Sequence, residues 1–135
     1  MRRSDRVEAV RVAREVDVRC AGDARVDDWC AAALLHDVGK LDADLGTYGR
    51  VVATAAGALA GHDLAPSWQQ RSGFTRKVGL YLGHPMLGGQ RIRIVGGREV
   101  AAYWAEAHHG ADRWVGGPIP AAVCEILARA DGEIA

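Results

Sequence analysis

Apolar residues recur at helical spacing along almost the whole chain. Val7, Val10, Ala13 and Val16 set the pattern, with Arg11, Arg14 and Glu15 between them. No strong two-residue alternation competes, and Arg91-Ile92-Arg93-Ile94-Val95 is only a weak strand candidate. The chain therefore reads as all-α, a single domain over 1–135 with six to seven helices. The first helix is expected to end between Arg19 and Gly22. Asp27 and Asp28 suit the first turn of the second, where carboxylates meet free amides and the positive dipole end. Trp29, Cys30, Ala33, Leu34 and Val38 supply its apolar surface, and Gly39 closes or loosens it. Further helices are predicted around Val51–Ala56, over Thr75–Leu82, Pro85–Val95, Glu99–His109 and Ile119–Arg129, with a helical turn from Leu64 to Gln70. Proline is comfortable at a first helical position, so His84 is placed at the mouth of the helix that Pro85 opens.

Charge and cysteine usage narrow the classes. Seventeen basic and seventeen acidic residues cancel, so no surface for polymeric nucleic acid is expected. A small charged ligand remains compatible, because bound metal ions bring their own positive charge. Cys20, Cys30 and Cys124 are odd in number and widely spaced, forming neither a metal knuckle nor a disulfide framework. Reduced thiols and a cytoplasmic location are expected. The residues after Met1 are too polar for a signal-peptide core. Val51 to Gly61 is too short to span a bilayer, so no membrane association is expected. Trp29, Trp68, Trp104 and Trp114 read as core or rim packing, and His62 as a surface group. The Gly-Gly pairs at 88–89, 96–97 and 116–117 read as turns or close-packing points.

The chemistry-bearing residues cluster at helix ends. The run Ala32-Ala33-Leu34-Leu35-His36-Asp37-Val38-Gly39-Lys40 delivers an imidazole, a carboxylate and an ammonium from an apolar helix. Neighbours on a helix point about 100° apart, yet both can reach one ion at a helix end. Lys40 follows His36 by four residues and shares its face. His84 precedes Pro85, His108 and His109 are adjacent at a helix end, and Asp131 follows the last apolar helix. Imidazole and carboxylate together suit Fe, Mn, Co, Ni or Zn better than Ca, which prefers an all-oxygen shell. A carboxylate can also bridge two ions.

The order and context of these residues resemble the HD superfamily of metal-dependent phosphohydrolases over nearly the whole chain. Ala32–Lys40 resembles its signature helix. His84-Pro85-x-x-Gly88 and His108-His109 resemble the extra histidine motifs of its binuclear HD-GYP type. Pro118-Ile119-Pro120, leading to Ala130-Asp131, resembles the segment that carries the last metal-binding aspartate. The layout is also similar to short stand-alone actinobacterial HD proteins. Two departures stand out. The family starts its ligand series with a histidine on the first helix, but no histidine precedes His36, and Glu8 occupies the corresponding place. The Gly-Tyr-Pro loop is replaced by Gly110–Gly117, which removes the expectation of cyclic-di-GMP specificity.

The resemblance implies one or two divalent transition-metal ions. Glu8, His36, Asp37 and Asp131 would hold the first, and Asp37 would bridge to a second held by His84, His108 and His109. An oxygen ligand at Glu8 favours Fe or Mn, with Co, Ni or Zn as alternatives. The implied activity is phosphomonoester or phosphodiester hydrolysis by metal-activated hydroxide, with Asp37 and Lys40 in catalytic roles. Lys40 would contact a phosphoryl oxygen or orient the nucleophile. Arg50, Arg76, Lys77 and Arg91 are candidates for contacting the rest of a small phosphorylated substrate such as a nucleotide. The competing readings are a non-catalytic HD-fold module that binds a nucleotide or protein partner, and a structural homodimer, which exposed Trp68 or Trp114 would favour.

Overall fold

In the computed structural model, α1 (Arg3–Arg19) turns Ala9, Val12, Ala13 and Val16 inward. The helix stands where its period predicts it, but its buried face differs. Val7 is 63% exposed and Val10 41% exposed. Valine and alanine occupy two adjoining stripes of this helix, and only the stripe through Val12 and Val16 meets α2 and α8. The structure describes residues 3–41, 43 and 45–135, without the side chains of Thr47, Tyr48 and His62. The expectation for His62 as a surface group therefore lies outside the described side chains.

The remaining helices are α2 (Val26–Leu35), α3 (Thr47–Ala60), α4 (Ala65–Gln69), α5 (Gly73–Leu82), α6 (His84–Ile94), α7 (Glu99–Ala107) and α8 (Ala121–Asp131). Short 3-10 turns cover Val38–Leu41, His62–Leu64 and Ala111–Trp114, and there is no strand among the described residues. The fold is all-α, a single helical domain. The helix beyond the expected six to seven is the five-residue α4, which lies within the predicted turn from Leu64 to Gln70. The 91–95 alternation is helical through Ile94: Ile92 is buried against α7 while Ile94 points outward. No described helix is long and apolar enough to cross a membrane.

Two apolar cores flank a thinner seam. The larger joins α1, α2, α7 and α8 around Trp29, Trp104, Leu127 and Cys124. The smaller joins α3, α4 and α5 around Ala53, Ala65, Val78 and Leu80. Between them α6 lies on α7 through Ile92, Ala101, Ala102 and Ala105, with Leu35 and Val38 packed alongside. Alanines on α7 and glycines on α6 let these backbones approach closely. A Cβ on Gly89 would enter the Glu106 side chain. Gly39 is tighter still. A Cβ there would overlap the His84 carbonyl oxygen and stand 2.8 Å from the Gly88 nitrogen. Glycine at 39 is what lets the turn after α2 rest on the start of α6.

Candidate metal centre

Helix ends build the site. α2 stops at Leu35, before the expected Val38, so His36 caps it and Asp37 falls in the following turn. His84 sits at the α5–α6 junction, His108 caps α7, and Asp131 is the last residue of α8. The C-terminal ends of α2, α5, α7 and α8 thus converge. Those four ends carry the negative pole of the helix dipole and favour a cation, against the single positive pole at the start of α6.

The imidazoles are oriented by the carbonyls that a helix end leaves available. His36 Nδ1 donates to Ala33 O at 2.8 Å, His84 Nδ1 to Tyr81 O at 2.6 Å, and His108 Nδ1 to Ala105 O at 2.9 Å. Each partner lies three residues back. At Tyr81 the residue four positions on is Pro85, which has no N–H to compete for that carbonyl. A carbonyl can only accept, so Nδ1 carries the proton in all three rings. Nε2 of each neutral ring then presents a lone pair.

Those lone pairs point at acceptors. His36 Nε2 lies 3.2 Å from Asp131 Oδ1 and 3.6 Å from Asp37 Oδ2. His84 Nε2 lies 3.4 Å, and His108 Nε2 3.8 Å, from Asp37 Oδ1. His109 Nε2 approaches His84 Nε2 at 3.3 Å. Asp37 Oδ1 and His108 Nε2 are buried without any hydrogen-bond partner. Buried polar atoms are rarely left so, and two facing acceptors need a positive charge between them. Ions with nitrogen and oxygen ligands hold donors at about 2.0–2.2 Å, which places donors sharing one ion about 3–4.3 Å apart. The pair distances of 3.2–3.8 Å among these atoms fall in that range. Donor atoms of His84, His108 and His109 lie within 4.8 Å of one another, as do those of His36, Asp37 and His108.

The electrostatics without an ion are consistent with this crowding. Burial lowers the His36 pKa, but the Asp131 hydrogen bond and the Asp37 charge outweigh it, and the net shift is upward. A proton there takes the place of a cation. Burial, followed by His109, His36 and His84, holds His108 down at about 3. His84 is lowered by burial against the pull of Asp37. Burial would raise Asp37, yet the close approach of His84 and the His36 and Lys40 charges carry it far below the usual carboxylate range. Asp131 is likewise lowered: its contact with His36 overcomes burial.

The expected residues do not all meet. His36, Asp37, His84, His108, His109 and Asp131 form one cluster, and His108 contributes to both donor groups rather than to one. Asp37 faces both ways, with Oδ1 toward His84 and His108 and Oδ2 toward His36 and Lys40, whose Nζ is 2.6 Å away. Glu8 belongs to neither donor group. It is half exposed and held by Arg11, with Nη2 to Oε1 at 2.6 Å. The same guanidinium donates to Ala130 O at 2.7 Å, so the pair sits at the α8 end beside Asp131. Arg50 is committed to Asp5 by two hydrogen bonds of 2.8 Å.

A cleft of about 820 Å³ opens beside His84 and His109. Its cations are Lys40 and Arg113; none of Arg50, Arg76, Lys77 and Arg91 lines it. Met86, Leu87, Gln69 and Gln90 form other parts of the wall. Arg113 and Glu133 are site residues that sequence reasoning passed over. The Asp-Gly-Glu ending at 131–133, a helix stop flanked by two carboxylates, was the available signal for Glu133. No protein-family model matches the chain, and neither a curated protein nor a solved structure does.

Proposed function

We propose that this cluster holds one or two divalent transition-metal ions and that the chain is a metal-dependent phosphohydrolase of HD type. The observation that carries the reading is the meeting of imidazole lone pairs, their tautomer set by helix-end carbonyls, around the buried and unpartnered Asp37 Oδ1. The motif order from Ala32 to Asp131 supports the same family. Mixed nitrogen and oxygen donors favour Fe or Mn, then Co, Ni or Zn, over Ca. Ions held there would lower the pKa of a water toward neutrality and draw off charge developing on a phosphoryl group. Asp37 would bridge the two donor groups. Lys40, on the cleft wall and anchored to Asp37, would offer a point charge to a phosphoryl oxygen. The cleft suits a small phosphorylated metabolite, with nucleotides in the size range.

The test is metal analysis of purified protein, followed by hydrolysis of aromatic phosphate mono- and diesters after reloading with each ion. Wild type should carry and require a transition ion, and Asp37→Ala should lose both ion and turnover. A folded wild type that takes up no ion would sink the reading. A second reading, a binding module without turnover, is favoured by Arg11 engaging the Glu8 carboxylate, which belongs to neither donor group. Stoichiometric ion uptake with no hydrolysis of any phosphoester would select it.

A further inference from the structure

We infer that Glu133 is the positioning residue for His109, and that it completes the His84–His108–His109 donor group from the far end of the chain. The inference rests on the metal reading above only for its consequence, not for the contact itself.

Four histidines converge, but they are not oriented alike. His36, His84 and His108 each use the carbonyl three residues back. His109 instead sets Nδ1 3.0 Å from Glu133 Oε1. It is also the one exposed member of its donor group, and exposed imidazoles sample other rotamers and tautomers unless something holds them. A carboxylate only accepts, so the contact places the proton on Nδ1 and leaves the Nε2 lone pair facing His84 Nε2 at 3.3 Å. Ligating histidines are commonly held in this way by a carboxylate behind the ring.

The backbone explains why Glu133 is in place. Gly132 adopts the left-handed conformation with φ 83° and ψ 12°. Its N–H donates to Arg129 O at 3.1 Å and the Glu133 N–H to Ala128 O at 2.9 Å. This pair of bonds is a Schellman stop, which fixes the chain direction just beyond α8. Arg129 also bonds the oxygen of Ala135, tying the last residues back onto the helix. One helix stop therefore delivers Asp131 to His36 on one side and Glu133 to His109 on the other.

The experiment follows the His109 ring nitrogens by 15N NMR in chelated protein at pH 8, then titrates Mn2+ by equilibrium dialysis. Wild type should show the Nδ1–H tautomer at His109. Glu133→Ala should lose that preference, and Glu133→Gln, whose amide oxygen still accepts, should restore it. In the titration Glu133→Ala should weaken the ion site that uses His109 by about 10- to 100-fold, matching the effect of carboxylates behind other ligating rings. Glu133→Gln should recover most of that affinity. Unchanged His109 tautomer in Glu133→Ala overturns the inference. So does a tautomer change with Mn2+ affinity unaltered. A tautomer change in a protein whose wild type binds no ion overturns the metal reading and leaves the Glu133–His109 contact standing.

Discussion

At the scale of single residues, His108 is the group whose state the fold determines most strongly. Its ring is buried, its Nε2 has no hydrogen-bond partner, and His36, His84 and His109 surround it, with Asp37 as the nearest counter-charge. Burial and those neighbours hold its pKa at about 3, against about 6.5 in an unfolded chain. The unfolded state therefore binds the proton first. Stability of the metal-free protein should fall as pH drops below about 6.5 and keep falling until about 3. Asp37 and Asp131 add to this acid loss, because their lowered pKa values contribute stability above the unfolded carboxylate value that disappears below it. His36 acts in the opposite sense. Its raised pKa gives stability that is complete below the unfolded value and is lost as pH rises through the folded one. Urea unfolding of chelated protein from pH 4 to 8 checks the balance. His108→Leu should flatten the acid limb by removing its main titrating group, and a limb of unchanged slope would contradict the assignment. A companion expectation concerns Asp37→Asn. It keeps the volume but halves the oxygen donors, so ion affinity measured by dialysis should drop at least tenfold while the helical circular dichroism signal stays.

At the scale of elements, the important contact is that of the turn Val38–Leu41 with α6. Gly39 has no room for a Cβ, because the atoms it would meet are the backbone of His84 and Gly88, which cannot rotate away. Gly39→Ala should push that turn off α6 and separate Asp37 from His84. The expected cost is about 1–3 kcal/mol of stability, typical of overpacking, together with weaker ion binding. Denaturant titration and dialysis measure the two effects; wild-type affinity in this variant would mean that the turn is not what sets the Asp37–His84 spacing. The same contact shows what was legible in the sequence. The glycine after His36-Asp37 and the Gly88 of the His84 motif were visible as letters, but their purpose is mutual approach, which only the folded arrangement displays. Helix α1 teaches a similar lesson. Its period announced a helix, yet Val7 and Val10 lie outside and Ala9 and Val12 inside, because the choice between adjoining apolar stripes is made by α2 and α8. The ligand types and their place at helix ends were readable from glycines, prolines and polar residues closing apolar runs. The orienting carbonyls, the pairing of Glu133 with His109, and the capture of Glu8 by Arg11 were not, since each depends on side-chain geometry or on a contact between distant segments.

At the scale of the whole molecule, the candidate centre is the place where the two cores are joined. His36, His108 and Asp131 project from ends of the larger core, while His84 opens α6 just past α5, a helix of the smaller core whose Tyr81 carbonyl orients it. An ion held in common would tie residues from 36 to 131 across the seam formed by α6. Binding to the folded state alone stabilises by about 2.7 kcal/mol at a hundredfold excess over Kd. For a chain of 135 residues that corresponds to a melting temperature raised by roughly 5–12 °C. Mn2+ should produce such a rise, a chelator should reverse it, and Ca2+ should do far less because nitrogen donors dominate the cluster. The gain should also be uneven. Helix α3 contacts mainly α5 and the turn before α4, and it leaves Val51, Val52 and Leu59 exposed, so its opening need not disrupt the ligand cluster. Amide hydrogen exchange with and without Mn2+ should therefore show slower exchange at the ends of α2, α7 and α8 and at the α5–α6 junction, with little change along α3. Equal protection of α3 would indicate that the domain opens only as one unit; protection confined to α7 would indicate that the ion engages His108 and His109 without bridging the cores.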